Sequence, residues 1–273
     1  NTLKISMRIA VIGGGNMGYA FSKSFIDKNL ISPADLVIVE KNEFRCNFLR
    51  SNGIEQVVND IDTDLGLCDF IILAIKPQSF EEVAINLKSH INSSQTIISI
   101  MAGVTVDTIT SNLSVSKIVR VMPNTPALVG EGISGYYVSG DSSIYEKETI
   151  SKLIKSCGSA VEVNTESELN AVTAISGSGP AYFFKFVKHM IEAGTELGLD
   201  ERKVQKLVLK TMKGSYELIK SSNDDIQTLI DNVTSKGGTT EAAINTFDKY
   251  NMDEIISKAV NAANNRAEEL SKL

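Results

Sequence analysis

Two periodicities divide the chain. Up to about Asn164, short apolar runs rich in β-branched residues alternate with stretches whose apolar positions recur every three or four residues. The runs predict strands over 8–12, 36–39, 70–74, 96–100, 117–121, 135–138 and 160–163. Several are apolar throughout, as a strand covered by helices on both faces requires. The intervening stretches predict helices over 19–29, 43–51, 80–91, 106–113 and 144–156. Repeated strand–helix units of this kind build a mostly parallel sheet.

Beyond Asn164 no strand pattern is evident, and the spacing is helical. Pro180 suits the first turn of a helix whose face carries Phe183, Phe184, Val187, Met190, Ile191, Gly194 and Leu197, closed by Gly198. A second helix follows Asp200, with Val204, Leu207, Val208, Met212 and Ile219 on one side. A last helix from about Met252 repeats small residues at Ala259, Ala262, Ala263 and Ala267. About a hundred residues of such helices have little core of their own. The expected architecture is an α/β, Rossmann-like N-terminal domain over 1–164, followed by an all-α dimerisation domain over 165–273.

Composition narrows the class without changing this picture. The 273 residues are 42% hydrophobic and 22% charged, with no Trp, which describes a globular chain. No apolar run approaches the roughly 18 residues of a membrane span. The N-terminus lacks a charged segment followed by an apolar core, so no signal peptide is expected. A net charge of −6 disfavours nucleic acid as a partner. Cys46, Cys68 and Cys157 are scattered, with no paired spacing for a disulfide framework or zinc. A cytoplasmic protein without a metal is the expectation.

Two glycine clusters carry the chemistry. After the first predicted strand comes GGGNMG, with Gly13, Gly15 and Gly18 in the dinucleotide spacing and Asn16 and Met17 between the last two. The first glycine makes the tight turn, the second admits pyrophosphate, and the third lets helix and strand pack closely. Glu40, ending the second strand, is placed to bond a ribose 2′-hydroxyl, which favours NADH. Lys41 and Arg45 lie close enough to receive a 2′-phosphate, so NADPH stays open, slightly behind. Ala74, Lys76 and Pro77 of LAIKP end another strand at the ligand-binding edge, where Lys76 is either a solvated charge or a cofactor neighbour. Asn124 of MPNTP sits in a proline-fixed loop that reads as bordering the nicotinamide, or as a turn bonding its own backbone.

The second cluster, DNVTSKGGTTEAAI from Asp231, places Ser235, Gly237, Gly238, Thr239 and Thr240 before a helix. Glycine amides, hydroxyls and first-turn N–H groups together suit a small carboxylate, although threonines before Glu241 would also serve as helix caps. His90 and His189 fall on helical stretches and read as structural or surface residues. A nucleotide cradle and a carboxylate cradle on two halves suggest an enzyme bringing a dinucleotide to a small acid. A hydroxyacid or sugar-acid dehydrogenase would use a lysine of the helical half, such as Lys185 or Lys188, but leaves the Gly237–Gly238 loop without a task.

GGGNMG at Gly13, LAIKP at Leu73, RVMPNTPALVGEG at Arg120, ISGSGPAY at Ile175 and DNVTSKGGTT at Asp231 occur in the order of the pyrroline-5-carboxylate reductase family, which the chain resembles over nearly its whole length. The resemblance implies NAD(P)H-dependent reduction of the C=N bond of Δ1-pyrroline-5-carboxylate to L-proline. It also implies a helical domain interlocked with a second subunit, as a homodimer or a larger assembly of dimers. By position it puts Thr240 beside the imine nitrogen and Ser235, Gly237, Gly238 and Thr239 around the carboxylate. Ser178 and Pro180 fall at the entry to the first interface helix. The chain departs from the family at Lys236, often proline, and at Glu40, where an acid is less usual.

Overall fold

The computed structural model describes residues 7–140 and 142–272, so the first six residues, part of the signal-peptide reading, lie outside it. Strands and helices alternate in the order β1 (Ile9–Ile12), α1 (Asn16–Asp27), β2 (Leu36–Val39), α2 (Glu43–Ser51), β3 (Gln56–Val58), β4 (Phe70–Leu73), α3 (Phe80–Leu87), β5 (Thr96–Ser99), α4 (Val106–Leu113), β6 (Ile118–Met122), β7 (Gly132–Ser139), α5 (Ile144–Lys155) and β8 (Gly158–Glu162). They form one eight-stranded sheet in the order β3-β2-β1-β4-β5-β6-β7-β8. Every neighbouring pair is parallel except β6 with β7. This is a Rossmann-like order extended by a two-strand return.

All seven expected strands are present, and β3 is an addition. Its three residues, QVV, are too short to show alternation. The strand interiors are apolar because both faces are covered. Ile9, Val11, Ile38, Ile72 and Val119 pack with Phe21, Phe25 and Leu49 on one side. Ala10, Ile12, Ile71, Leu73 and Ile118 pack with Phe80, Leu87 and Ile109 on the other. Arg120 interrupts the apolar register of β6, with 7% of its surface exposed. Its Nη1 donates to Glu166 Oε1 at 2.8 Å, and the same oxygen accepts the first amide of α4, Val106 N, at 2.7 Å. The buried charge therefore ties β6 to the start of α4 through Glu166.

α5 opens on a capping box, Ser143 and Glu146 bonding each other's backbone. Lys117 Nζ also donates to Glu146 Oε1 at 2.5 Å. That bond first, then the Ser143 amide and hydroxyl, hold the Glu146 carboxyl at about 2, below its ordinary 4.5. A depressed carboxyl contributes stability that is complete above its unfolded value and is lost as pH falls through the folded one. In thermal melts across pH, Glu146→Gln is expected to lower Tm near neutrality and to flatten the decline between about pH 4.5 and pH 2. An unaltered acid limb would remove this carboxyl from the acid response.

The remaining elements are α6 (Glu168–Val172), a π turn (Thr173–Gly177), α7 (Gly179–Glu196), α8 (Glu201–Ser221), α9 (Ile226–Val233), α10 (Thr239–Lys249) and α11 (Met252–Leu270), all helical as expected. Two compact groups emerge, one of the described residues up to Ser178 with those from Ala263, the other Gly179–Ala262. In the second group Gly194 of α7 lies so close to α8 that a Cβ would stand 2.6 Å from Val204 Cγ1. Among residues of α7 to α10, only Gly179 and Val204 are buried. The predicted apolar faces exist as stripes but stay open: Phe184 is 68% exposed, and Phe183, Leu207, Met212 and Ile219 are also exposed. Among the described residues no helix is long and apolar enough to cross a membrane.

Candidate active site

The turn after β1 is shaped by close approach. Gly13 has φ +104°, and a Cβ on it would meet Ala74 O at 2.6 Å. A Cβ on Gly18 would meet Gly13 O at 2.1 Å, so α1 rests directly on the turn. Gly15 differs: nothing lies within 4 Å of its Cβ position. It is also the N-cap of α1, without a side-chain cap, so the first amides of that helix are left for an external acceptor. The turn opens on a cleft of about 690 Å³ lined by Gly13, Gly15, Glu40, Lys41, Ala74 and Lys76. Size, open backbone at a helix start and an acid at the end of β2 all fit a dinucleotide. Asn16 and Met17 begin α1, Gly18 lies beneath the turn, and Pro77 starts a short 3-10 turn; these four do not line the cleft.

Glu40 does more than face the cleft. Its Oε2 accepts from Gly14 N at 2.9 Å and its Oε1 from Asn42 N at 2.8 Å. Its carbonyl receives the Cys46 thiol at 3.0 Å. Burial, and then the nearby Glu43 charge, push the Cys46 pKa up and keep that proton in place. Asn59 and Asp60, just past β3, also line the cleft, as do Ser79, Glu82, Asn86 and His90. The sequence reading missed Asn59 and Asp60 with β3 itself. His90, expected as a structural or surface residue, is among the lining residues, with Nδ1 2.9 Å from Asn86 O. His189 is an exposed residue bonded to Glu192 at 2.7 Å.

Two motifs meet at the carboxyl end of β6. Asn124 Oδ1 accepts the Ile133 amide at 2.9 Å, stitching the MPNTP loop to β7 rather than bonding its own turn. Asn124 does not line the cleft. Met122 packs on Gly177, where a Cβ would lie 2.7 Å from Met122 Cε. Gly177 ends the π turn, closed by Ser178 N donating to Thr173 O at 2.8 Å. Such turns introduce one extra residue into a helical run and recur at functional sites.

The second glycine cluster lies in the Gly179–Ala262 group. Gly237 has φ +74°, a conformation that disfavours side chains, and its amide donates to Glu241 Oε2 at 2.8 Å. A Cβ on Gly238 would stand 2.5 Å from Ser235 Oγ. Gly238, not a threonine, is the N-cap of α10, and no side chain caps the helix. Its first helical bond is Ala242 N to Gly238 O at 3.2 Å, leaving the Thr239, Thr240 and Glu241 amides without helical acceptors. Thr240 is half-buried, whereas Ser235 and Thr239 are exposed. The cluster thus offers amides and hydroxyls at a positive helix end. Lys188, a candidate base for the dehydrogenase alternative, is an exposed partner of Glu192 at 3.6 Å.

Both clusters fall within regions that match known protein families. The profile described as "Pyrroline-5-carboxylate reductase dimerisation" matches residues 166–270, and that of "NADP oxidoreductase coenzyme F420-dependent" matches 8–103. Pyrroline-5-carboxylate reductase of Staphylococcus haemolyticus is 36% identical over 269 residues, covering 97% of this chain and 98% of that one. Among solved structures, the Coxiella burnetii pyrroline-5-carboxylate reductase superposes with TM-score 0.89 at 32% identity, covering 98% and 100%. The Plasmodium falciparum pyrroline carboxylate reductase, with NADP bound, gives TM-score 0.84 at 31% identity over 97% and 98%. With identity at this level sustained from end to end, the chain belongs to the pyrroline-5-carboxylate reductase family.

Proposed function

We propose that the chain reduces Δ1-pyrroline-5-carboxylate to L-proline with NAD(P)H, the last step of proline synthesis. The observation that carries the substrate assignment is the uncapped start of α10 behind Gly237 and Gly238. Free amides there receive the substrate carboxylate, helped by the Ser235 and Thr239 hydroxyls. Gly237 contributes the turn, since Glu241 already takes its amide. The Thr240 hydroxyl is a hydrogen-bonding partner of the imine nitrogen. A threonine is too weak an acid to deliver a full proton, so the proton comes from water or from the substrate's own iminium form.

On the cofactor side, Gly13, Gly15, Asn16 and Met17 hold the pyrophosphate at the start of α1, with Gly18 supporting the turn. Glu40 and Lys41 border the ribose, and Ala74, Lys76, Pro77 and Asn124 border the path toward the nicotinamide. The reduced nicotinamide, when bound, supplies the hydride accepted by the imine carbon. The chain's own task is orientation and one donor at nitrogen. In this reading residues 1–164 serve the cofactor, while 165–273 serve the substrate and the partner subunit. The open stripes of α7 and α8 support a homodimer or an assembly of dimers, and the scattered cysteines fit a cytoplasmic location.

The test is to follow oxidation of NADH and NADPH separately in the presence of Δ1-pyrroline-5-carboxylate. Substrate-dependent loss of reduced cofactor with L-proline as product is expected. Absence of turnover with both nucleotides would overturn the reading.

A further inference from the structure

The end of β2 lines the cleft, and its charges are arranged unevenly. Glu40 lines the cleft with its carboxylate pinned by the Gly14 and Asn42 amides, so it cannot swing away without releasing the glycine turn. Arg45, the cation otherwise able to receive a 2′-phosphate, is committed elsewhere. Its Nε donates to Gly14 O at 2.5 Å, and its Cζ lies 4.3 Å from the Phe48 ring centroid and 5.7 Å from that of Tyr19. Arg45 does not line the cleft. Lys41 does, but its Nζ is 3.4 Å from Glu82, another acid of the lining. Lys76 follows β4, which is separated from β2 by β1, roughly 10 Å across the sheet.

Resting on the proposed function, we infer that the chain selects NADH over NADPH, with Glu40 as the specificity-determining residue and Arg45 as a positioning residue for the glycine turn. A 2′-phosphate would place its charge against a fixed carboxylate, with one acid-paired lysine for compensation. A ribose 2′-hydroxyl would instead find an acceptor. Arg45 and Glu40 hold the carbonyl and the amide of one residue, Gly14, so both act on the glycine turn.

Calorimetric titration of the full chain with NADH and with NADPH, without imine substrate, tests this. NADH is expected to bind about 100-fold more tightly. Glu40→Ser should shrink that ratio to below about 10-fold, while Arg45→Ala should weaken both nucleotides by a similar factor and leave the ratio standing. Equal binding of the two by the unaltered protein, or a loss confined to NADPH in Arg45→Ala, would overturn the inference. If the arginine variant does not fold, the unaltered protein and Glu40→Ser still decide the matter. Because no imine is present, failure here is separate from failure to turn over Δ1-pyrroline-5-carboxylate.

Discussion

Replacing Thr240 by alanine is expected to lower kcat about 100-fold while leaving the Kd for reduced cofactor unchanged. Thr240 is the second residue of α10, where the helix direction and the uncapped Thr239 and Glu241 amides define a site for negative charge. In the proposed reaction a hydroxyl beside that site would make the imine a better hydride acceptor as its nitrogen gains electron density, an interaction that strengthens toward the transition state. Thr240→Ser keeps the hydroxyl and should retain most of the rate, whereas Thr240→Val keeps the shape and should behave like alanine. Steady-state kinetics with direct cofactor titration separates the cases. Normal turnover by the alanine variant, or a serine variant as slow as valine, would remove the hydroxyl from the mechanism.

The glycine turn supports an equally large contrast between two neighbours. A methyl group at Gly18 would sit 2.1 Å from Gly13 O, a backbone atom, so Gly18→Ala must push α1 off the turn. Overpacking of this kind costs about 1–3 kcal/mol or more, and Tm should fall by several degrees together with a loss of cofactor binding. A methyl group at Gly15 meets nothing within 4 Å, and the backbone there, φ −62° and ψ −172°, suits alanine. Gly15→Ala is therefore expected to melt like the parent and yet bind NADH about 100-fold more weakly, because the added carbon would occupy the space proposed for the pyrophosphate. Undiminished affinity in Gly15→Ala would show that the nucleotide does not approach this backbone.

The parts legible in the sequence were those governed by local rules. Strands such as β2 and β4 stand out because burial on both faces makes them apolar from end to end. The glycine turn stands out because only glycine meets its steric demands. β3 did not, since its three residues carry too little pattern, and Asn59 and Asp60 were lost with it. The place of Glu40 at the cleft was visible by its distance from the turn, but its grip on Gly14 was not, because a bond across 26 positions depends on tertiary placement. The same holds for Arg45, whose sequence position suggests a place near a 2′-phosphate but does not show its contacts with the Phe48 and Tyr19 rings. In the second half, spacing identified the helices but not their exposure. A stripe awaiting another subunit and a stripe buried in its own chain have the same period.

The placement of Arg45 has a practical outcome for spectroscopy. Its guanidinium touches the Gly14 carbonyl at one end and lies over two aromatic rings outside the cleft at the other. Any ligand that displaces that carbonyl drags a positive charge across π clouds, altering the magnetic environment of the Tyr19 and Phe48 protons. Tyr19 and Phe48 do not line the cleft, so an NMR shift of their ring protons on adding nucleotide is the expected sign that the ligand has moved that carbonyl.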